Sequence, residues 1–350
     1  MKKIVHLLPN SVYTVRFIDF MNKYFPKEEH DFLVVCEGNS FKVNKQDNVF
    51  FIKKMSKDMF FFHKELFIAD KIILHGIFTE IVPVLFIRLG ILKKCYWVIW
   101  GGDLYYHETR VKSFRSNLGE FMRRIIIKNM GVIITNNEGE YELARKWYPT
   151  KARHMKAFYP SPIVYEDLDF DDDYKEKSLI TILVGNSANP TNNHIEVLNK
   201  LLKFKDEDIE IIAPLSYGEK EWAKKVIETG EKLFGDKFKP LVDFLPPAEY
   251  ARILNSVDIA VFNHNRQQAL GNIKTLLYLG KKVYIRKDVT TWDYFERIGI
   301  TVYDTYGMDK LSFEEFVYME ESLKAKNREI IRREFSEERC RELWENIFNS

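Results

Sequence analysis

The chain has 350 residues, more than one hydrophobic core usually holds, which points to two domains of roughly 150 residues each. A composition 46% hydrophobic and 30% charged is ordinary for a soluble globular protein, and three scattered cysteines with no CxxC pair argue against a disulfide framework or a zinc site and for a reducing compartment. The net charge of +2 hides an asymmetry: residues 1–165 carry 26 Lys and Arg against 16 Asp and Glu, and residues 166–350 carry 27 against 35.

A basic N-terminal half asks for an anionic partner there: nucleic acid, acidic lipid or a pyrophosphate-linked substrate. Along that half, segments 3–8, 32–36, 71–74, 96–99 and 132–135 read as buried strands, short, rich in Ile and Val and bounded by turn residues. Between them, segments 12–24, 77–89, 111–129 and 138–147 read as helices. The first apolar run is too short for the core of a signal peptide, and Pro9-Asn10 ends it. The most apolar stretch, 72–92, carries His75, Glu80, Pro83 and Arg88, which a spanning helix tolerates poorly. The expectation is therefore a cytoplasmic protein not integral to the membrane. Aromatic residues make up 15% of the chain, core material first and ring surfaces for sugars, nucleobases or lipid second.

Around Tyr159-Pro160-Ser161-Pro162 and the acidic run 166–173 the alternation lapses, as expected of a linker. Asp171-Asp172-Asp173 invites a metal reading, but it falls in that linker and not after a strand. The pattern then restarts, with strands at 179–184, 209–213, 259–262 and 282–285 and helices at 194–203, 219–234, 247–254 and 269–279. A charged helix over 324–347 closes the chain. Strand–helix alternation in both halves predicts two α/β units with parallel sheets. The expected domains are 1–165, an acidic linker 166–177, 178–325, and a C-terminal helix 326–350 with the N-terminal domain as one place for it to pack.

In open α/β sheets ligands bind beyond the carboxyl ends of strands, so chemistry is sought there. One such place is Gly185-Asn186-Ser187, followed by Asn189-Pro190-Thr191-Asn192-Asn193 and a helix start. Gly185 allows close backbone approach, and Ser187 with the helix's first N–H groups can hold a phosphate; a polar turn with an N-cap is the plain alternative. The loop is neither a Walker loop nor a dinucleotide fingerprint. After 259–262 comes Asn263-His264-Asn265-Arg266-Gln267-Gln268, in which Arg266 can pair with a pyrophosphate in fork geometry and Gln267 and Gln268 can bond sugar hydroxyls. In the N-terminal half, Trp100-Gly101-Gly102-Asp103-Leu104-Tyr105 offers a carboxylate after a Gly-Gly turn, as a base or as a cap, flanked by rings able to stack on a sugar. His75-Gly76 ends a neighbouring strand.

Taken in order, these stretches resemble the bacterial 4-acetamido-4,6-dideoxygalactose (Fuc4NAc) transferase family. The matching residues are 182–187 with His194-Ile195, Arg266-Gln267-Gln268 with Gly271, Trp100-Gly101 with Asp103-Leu104-Tyr105, and His75-Gly76; Pro214 with Tyr217 and Tyr159 with Ser161 are looser echoes. The resemblance runs over most of residues 1–300. It implies a GT-B fold, two Rossmann-like doubly wound parallel-sheet domains facing a cleft. It implies transfer of an acetamido-deoxyhexose such as Fuc4NAc from a dTDP-sugar to a polyprenyl-diphosphate-linked oligosaccharide in bacterial surface polysaccharide synthesis. It also implies a peripheral seat on the inner face of the cytoplasmic membrane, which agrees with the basic half and leaves nucleic acid out. Gly185, Asn186, Ser187, His194, Tyr217, Arg266, Gln267, Gln268 and Gly271 then bind the donor; Trp100, Gly101 and Tyr105 bind the acceptor. Asp103 or His75 is the catalytic base, with Asp103 preferred for its Gly-Gly turn. No metal or other cofactor is expected, since helix N-termini and Arg266 can neutralise a diphosphate. One departure stands out: the family's Gly-Ile-Gly after Gln268 is Ala269-Leu270-Gly271 here, which bears on the donor sugar.

The segment 111–129 reads as an interfacial helix, with Arg115, Arg123, Arg124 and Lys128 on one side and Phe114, Leu118, Phe121, Met122 and Ile125 on the other. An ordinary amphipathic helix with its apolar face on the sheet is the alternative. Two other function classes fit the architecture: a nucleotide-sugar epimerase, which needs no acceptor, and a non-catalytic binding module, which turns nothing over.

Overall fold

In the computed structural model, residues 2–36, 43–53, 58–78, 81–160 and 179–350 are described. The chain divides into two units, Met1–Pro160 with Glu337–Ser350, and Ser161–Ser336. The expected linker 166–177, with Asp171–Asp173, lies outside the described residues.

The first unit runs β1 (Ile4–Pro9), α1 (Val12–Tyr24), β2 (His30–Cys36), β3 (Val49–Lys53), α2 (Asp58–Ile68), β4 (Lys71–His75), α3 (Val82–Ile87), β5 (Cys95–Val98), α4 (Gly102–Thr109), α5 (Phe114–Asn129), β6 (Val132–Ile134), α6 (Glu138–Trp147) and β7 (Arg153–Met155). The strands form one parallel sheet in the order β3-β2-β1-β4-β5-β6-β7. β4, β5 and β6 are buried along their whole length, as strands covered on both faces must be. Side chains set the helix boundaries. Ser11 caps α1, its hydroxyl accepting from the Thr14 N–H. Ser113 and Ser116 form a reciprocal capping box that starts α5 afresh, so the single helix expected over 111–129 begins later and α4 stands separately before it. Pro83, lacking an N–H, fits the first turn of α3 and shortens the helix expected over 77–89.

The second unit runs β8 (Ile180–Val184), α7 (His194–Leu201), β9 (Ile209–Pro214), α8 (Lys220–Phe234), β10 (Phe238–Leu241), α9 (Pro247–Ser256), β11 (Ile259–Phe262), α10 (Leu270–Tyr278), β12 (Lys282–Ile285), α11 (Thr290–Ile298), β13 (Tyr303–Asp304), α12 (Phe313–Val317) and α13 (Glu321–Glu334). Its sheet is again parallel, in the order β10-β9-β8-β11-β12-β13. Both sheets are doubly wound, and the strand order reverses between β1 and β4 in one and between β8 and β11 in the other. Those two switch points are where an open α/β sheet leaves a crevice for ligand.

The helix expected over 324–347 is two helices. α13 stays in the second unit against α10, while α14 (Glu337–Asn349) belongs to the first. Cys340, Leu343, Trp344, Ile347 and Phe348 form the buried stripe of α14, at the spacing of a core-facing helix. Trp344 Nε1 donates to the Phe158 carbonyl at 3.0 Å, and Lys71 Nζ donates to the Ile347 carbonyl at 2.8 Å, which fixes the end of the chain to the sheet.

Candidate functional site

At the second unit's switch point the loop after β8 folds around one side chain, the fully buried Asn192. Its Oδ1 accepts from the Asn186 N–H at 2.9 Å and from His264 Nε2 at 2.8 Å, and its amide donates to the Asn189 carbonyl at 3.0 Å. Burial holds His264 at about 3, so it is neutral and its proton sits on Nε2. Asn186 extends the network: its amide donates to the Tyr217 hydroxyl at 2.8 Å, and its Oδ1 accepts from Gln268 at 2.9 Å. Gln268 in turn accepts from the Thr191 hydroxyl at 2.7 Å. The loops after β8 and β11 are thus one hydrogen-bonded body. Gly185, Asn186, Ser187, His194, Tyr217 and Gln268 all belong to it or border it.

Two features of this body suit an anion. The first is His194, the opening residue of α7. Trp222 Nε1 donates to its Nδ1 at 3.2 Å, so Nδ1 is the acceptor. Burial holds the ring at about 4, which makes it neutral and places the hydrogen on Nε2. That buried Nε2 has no hydrogen-bond partner among the described residues. It lies over Gly185, where φ is +71° and an added Cβ would stand 2.5 Å from His194 Nε2 and 2.8 Å from Asn192 Oδ1. The second is the pair of helix starts, α7 and α10, whose caps Asn193 and Ala269 take left-handed φ of 51° and 57°. Gly271 sits in the first turn of α10, and Arg266, half-buried, donates to the Gln267 carbonyl at 3.2 Å. Ala269 thus holds a left-handed backbone that glycine adopts more readily than alanine.

At the first unit's switch point the strand ends carry rings. Asp103 is buried and fully engaged: Oδ2 accepts from the Ile77 N–H at 3.1 Å and Trp97 Nε1 at 2.6 Å, and Oδ1 accepts from the Trp100 N–H at 3.0 Å. With three donors on two oxygens, Asp103 has the surroundings of a fixed acceptor that ties the ends of β4 and β5 together. Gly101, at φ +85°, makes the turn that allows this and caps α4. Tyr105 lies in the core, its hydroxyl donating to Glu140 at 2.7 Å and its ring against Trp147, so it offers no face to a ligand. His75, the last residue of β4, is fully buried; its Nδ1 meets the Tyr159 hydroxyl and its Nε2 meets His6 Nδ1 at 3.0 Å. Tyr159 also accepts from Trp100 Nε1 at 3.0 Å, and both rings are half-buried at the sheet's carboxyl end.

Reading the sequence alone overlooked Asn192 and His264 as organisers and His6 as the neighbour of His75. The signals were faint: a run of Asn residues after β8, and histidines at strand positions of like parity.

The surface helix differs from expectation. Arg123 is buried; its guanidinium donates to the Ile77 and Asp103 carbonyls and stands 3.6 Å from Glu120. It therefore belongs to the interior, not to a basic surface. Lys94 is likewise engaged, donating to the Phe67 and Ala69 carbonyls at 2.7 and 2.6 Å. The outward face of α5 instead carries Phe114, 88% exposed, with Leu118 and Phe121, and Arg115, Arg124 and Lys128 beside them. α3 packs on α5, and Ile87, close by in the chain at its end, is 81% exposed. Among the described residues no helix is long and apolar enough to cross a membrane. Among them, no group of three or more His, Cys, Asp or Glu is placed to hold a metal ion.

Solved structures share this architecture at low identity. HepE from Anabaena, described in complex with UDP and glucose, superposes with a TM-score of 0.71 at 12% identity, covering 99% of this chain and 100% of its own. A glycosyltransferase from Rickettsia africae gives 0.67 at 13%, covering 99% and 97%. WaaG, a glycosyltransferase of lipopolysaccharide biosynthesis, gives 0.63 at 11%, covering 98% of each chain. The fold is GT-B. The model of one sequence family, 4-alpha-L-fucosyltransferase glycosyl transferase group 56, matches residues 1–349. The chain therefore belongs to the 4-alpha-L-fucosyltransferase family, glycosyl transferase group 56, and is a glycosyltransferase.

Proposed function

We propose that the protein transfers an acetamido-deoxyhexose such as Fuc4NAc from a dTDP-sugar to a polyprenyl-diphosphate-linked oligosaccharide, working at the inner face of the cytoplasmic membrane. The observation that carries the donor half of this reading is the buried His194 Nε2–H over Gly185, unpartnered among the described residues, beside two helix starts and Arg266. Neutral donors and helix N-termini suit a diphosphate without a metal ion. The likeness to a UDP- and glucose-bound HepE supports a nucleotide-sugar donor. On the acceptor side, Trp100 and Tyr159 present ring edges and a hydroxyl at the other switch point, with Asp103 fixing Trp100 and His75 backing Tyr159.

The outward stripe Phe114, Leu118 and Phe121 repeats at helical spacing and is rimmed by Arg115, Arg124 and Lys128, as in a helix lying in a headgroup layer. Charges near an anionic surface contribute roughly 1 kcal/mol each and are screened by salt.

The test pairs donor and acceptor. Melting temperatures with dTDP-, UDP- and GDP-sugars should rank a dTDP-sugar first, and EDTA should leave transfer unchanged. Turnover of donor without acceptor would mark an epimerase, and binding without any turnover would mark a sugar-binding module. The protein should cosediment with anionic vesicles at low salt and be released at high salt. Indifference to such vesicles would remove the membrane from the proposal.

A further inference from the structure

The ring nitrogens of His30, His6 and His75 form an unbroken series. His30 Nδ1 meets His6 Nε2 at 3.0 Å, His6 Nδ1 meets His75 Nε2 at 3.0 Å, and His75 Nδ1 meets the Tyr159 hydroxyl. The register of the parallel strands explains the alignment. His30 pairs with Ile4, two residues before His6, and His75 lies two residues beyond Ile73, the partner of His6. The three rings therefore lie on a diagonal across one sheet face, rising toward its carboxyl end. Aromatic side chains of α1 and α14 sheath them: Phe17 is 4.7 Å from His75, Phe348 is 4.7 Å from His30, and Trp344 stacks on His75. Among the described residues, the hydrogen bonds of these ring nitrogens run to one another and to Tyr159, with no carboxylate in the series.

Burial keeps all three rings neutral, His30 at about 4, His75 at about 3 and His6 well below its ordinary value. A neutral imidazole has one N–H and one bare nitrogen, so the series has only two self-consistent arrangements. In one, Tyr159 donates to His75, His75 to His6 and His6 to His30. In the other every bond is reversed, and the Tyr159 O–H no longer points at His75. Trp100 Nε1 donates to the same oxygen in both.

We propose that His30, His6 and His75 are a proton relay ending on the Tyr159 hydroxyl, which carries away the proton that the acceptor hydroxyl loses during glycosyl transfer. This rests on the acceptor-side reading of the first switch point given above. The step balances. The acceptor O–H proton passes to the Tyr159 oxygen as the acceptor oxygen bonds to the anomeric carbon and the nucleotide leaves with the electron pair of the broken bond. The Tyr159 proton moves to His75 Nδ1, the His75 Nε2 proton to His6 Nδ1, and the His6 Nε2 proton to His30 Nδ1. His30 releases its Nε2 proton, and of the three it alone keeps any exposure, at 2%. No ring holds a resting charge. The return hop, with a proton entering at His30 and the Tyr159 proton leaving to solvent, restores the first arrangement. Tyr159 is then a catalytic residue, and the three histidines act through it as positioning and conducting residues.

Two measurements test this. The first needs no substrate: ¹⁵N-histidine spectra of the wild type and Tyr159→Phe. A relay changes hydrogen-bond sense as a unit, so the shifts of His75, His6 and His30 should all move. Movement of His75 alone would overturn the relay. The second is transfer from dTDP-Fuc4NAc to a polyprenyl-diphosphate-linked disaccharide. His6→Gln should lower kcat about tenfold or more with both KM values kept, and should abolish a wild-type solvent deuterium effect with a bowed proton inventory. His30→Gln, at the far end, should do the same and serves if the His6 variant does not fold. Unchanged kcat and isotope effect in these variants, with Tyr159→Phe impaired, would overturn the relay and leave the acceptor side standing. Full transfer by Tyr159→Phe would remove both.

Discussion

At the first switch point the strand ends carry imidazole, phenol and indole: His75, Tyr159 and Trp100. At the second, on the same winding of strands, amides predominate, Asn186, Asn192 and Gln268, with His264 and His194 set separately among them. Carboxamides do not titrate, and each offers donors and acceptors in fixed number, so this cradle responds to pH only through His194 and His264, which burial keeps neutral. Imidazoles and phenols can pass protons along. The contrast teaches that one topology can present a cradle of mostly fixed hydrogen-bonding groups in one half and a connected series of proton-bearing rings in the other, a difference made by side chains alone.

Acid should separate the two most strongly. The folded rings stay neutral down to about 4 for His30 and His194 and about 3 for His75 and His264, whereas in the unfolded chain they protonate near 6.5. Below that value the unfolded state binds more protons, so stability falls with pH until the folded values are reached. Each ring contributes a loss of about 1.4 kcal/mol per pH unit. With His6, also held well below its ordinary value, the first unit has three buried rings of this kind and the second has two, so hydrogen-exchange protection should fail in the first unit at the higher pH. Loss in the reverse order would break the comparison.

Asp103→Asn probes the ring side without changing size. It replaces an all-accepting carboxylate by a group whose NH₂ must face a donor, at a cost of about 1–3 kcal/mol. The melting temperature should drop while nucleotide affinity, which the proposed donor site places in the other unit, is kept. An unchanged melting temperature with activity lost more than about a hundredfold would instead make Asp103 the base. On the amide side, Arg266→Ala should weaken nucleotide binding by about 1.5–3 kcal/mol, the scale of a charged hydrogen bond, and calorimetry reads it directly. Equal binding by the variant would move the diphosphate elsewhere. The smallest expected effect is a gain. Ala269 holds φ at +57°, so Ala269→Gly should relieve strain and raise stability by about 1 kcal/mol. A loss would show that the methyl group there is packed to advantage.

Much of the second unit's candidate site was legible because it is local. Gly185 through Asn193 is one stretch between β8 and α7, and Asn263 through Gly271 is another between β11 and α10, so strand-end logic finds both. α1, α6, β11 and β12 were legible to the residue for the same reason: apolar period and boundary residues lie side by side in the chain. β3, α2 and β7 were not, since β7 is an edge strand with an exposed or half-buried Arg153-His154-Met155 and no apolar run to announce it.

What the tertiary structure alone decided is which distant residues meet and which way a helix faces. The relay joins His6 to His30 across 24 residues and to His75 across 69, and Asn192 to His264 spans 72; parallel register, set by whole-sheet packing, makes those contacts. α5 has apolar and charged residues on both candidate faces. Its pattern alone does not say that Arg123 turns inward to the Ile77 and Asp103 carbonyls while Phe114 turns out. A buried guanidinium is tolerated only where carbonyls and Glu120 await it, and those partners exist only once β4, α4 and α5 have come together. The composition, the strand–helix rhythm and the family motifs are properties of the chain read in order. The pairing of imidazoles, the inward arginine and the return of α14 to the first unit are properties of its packing.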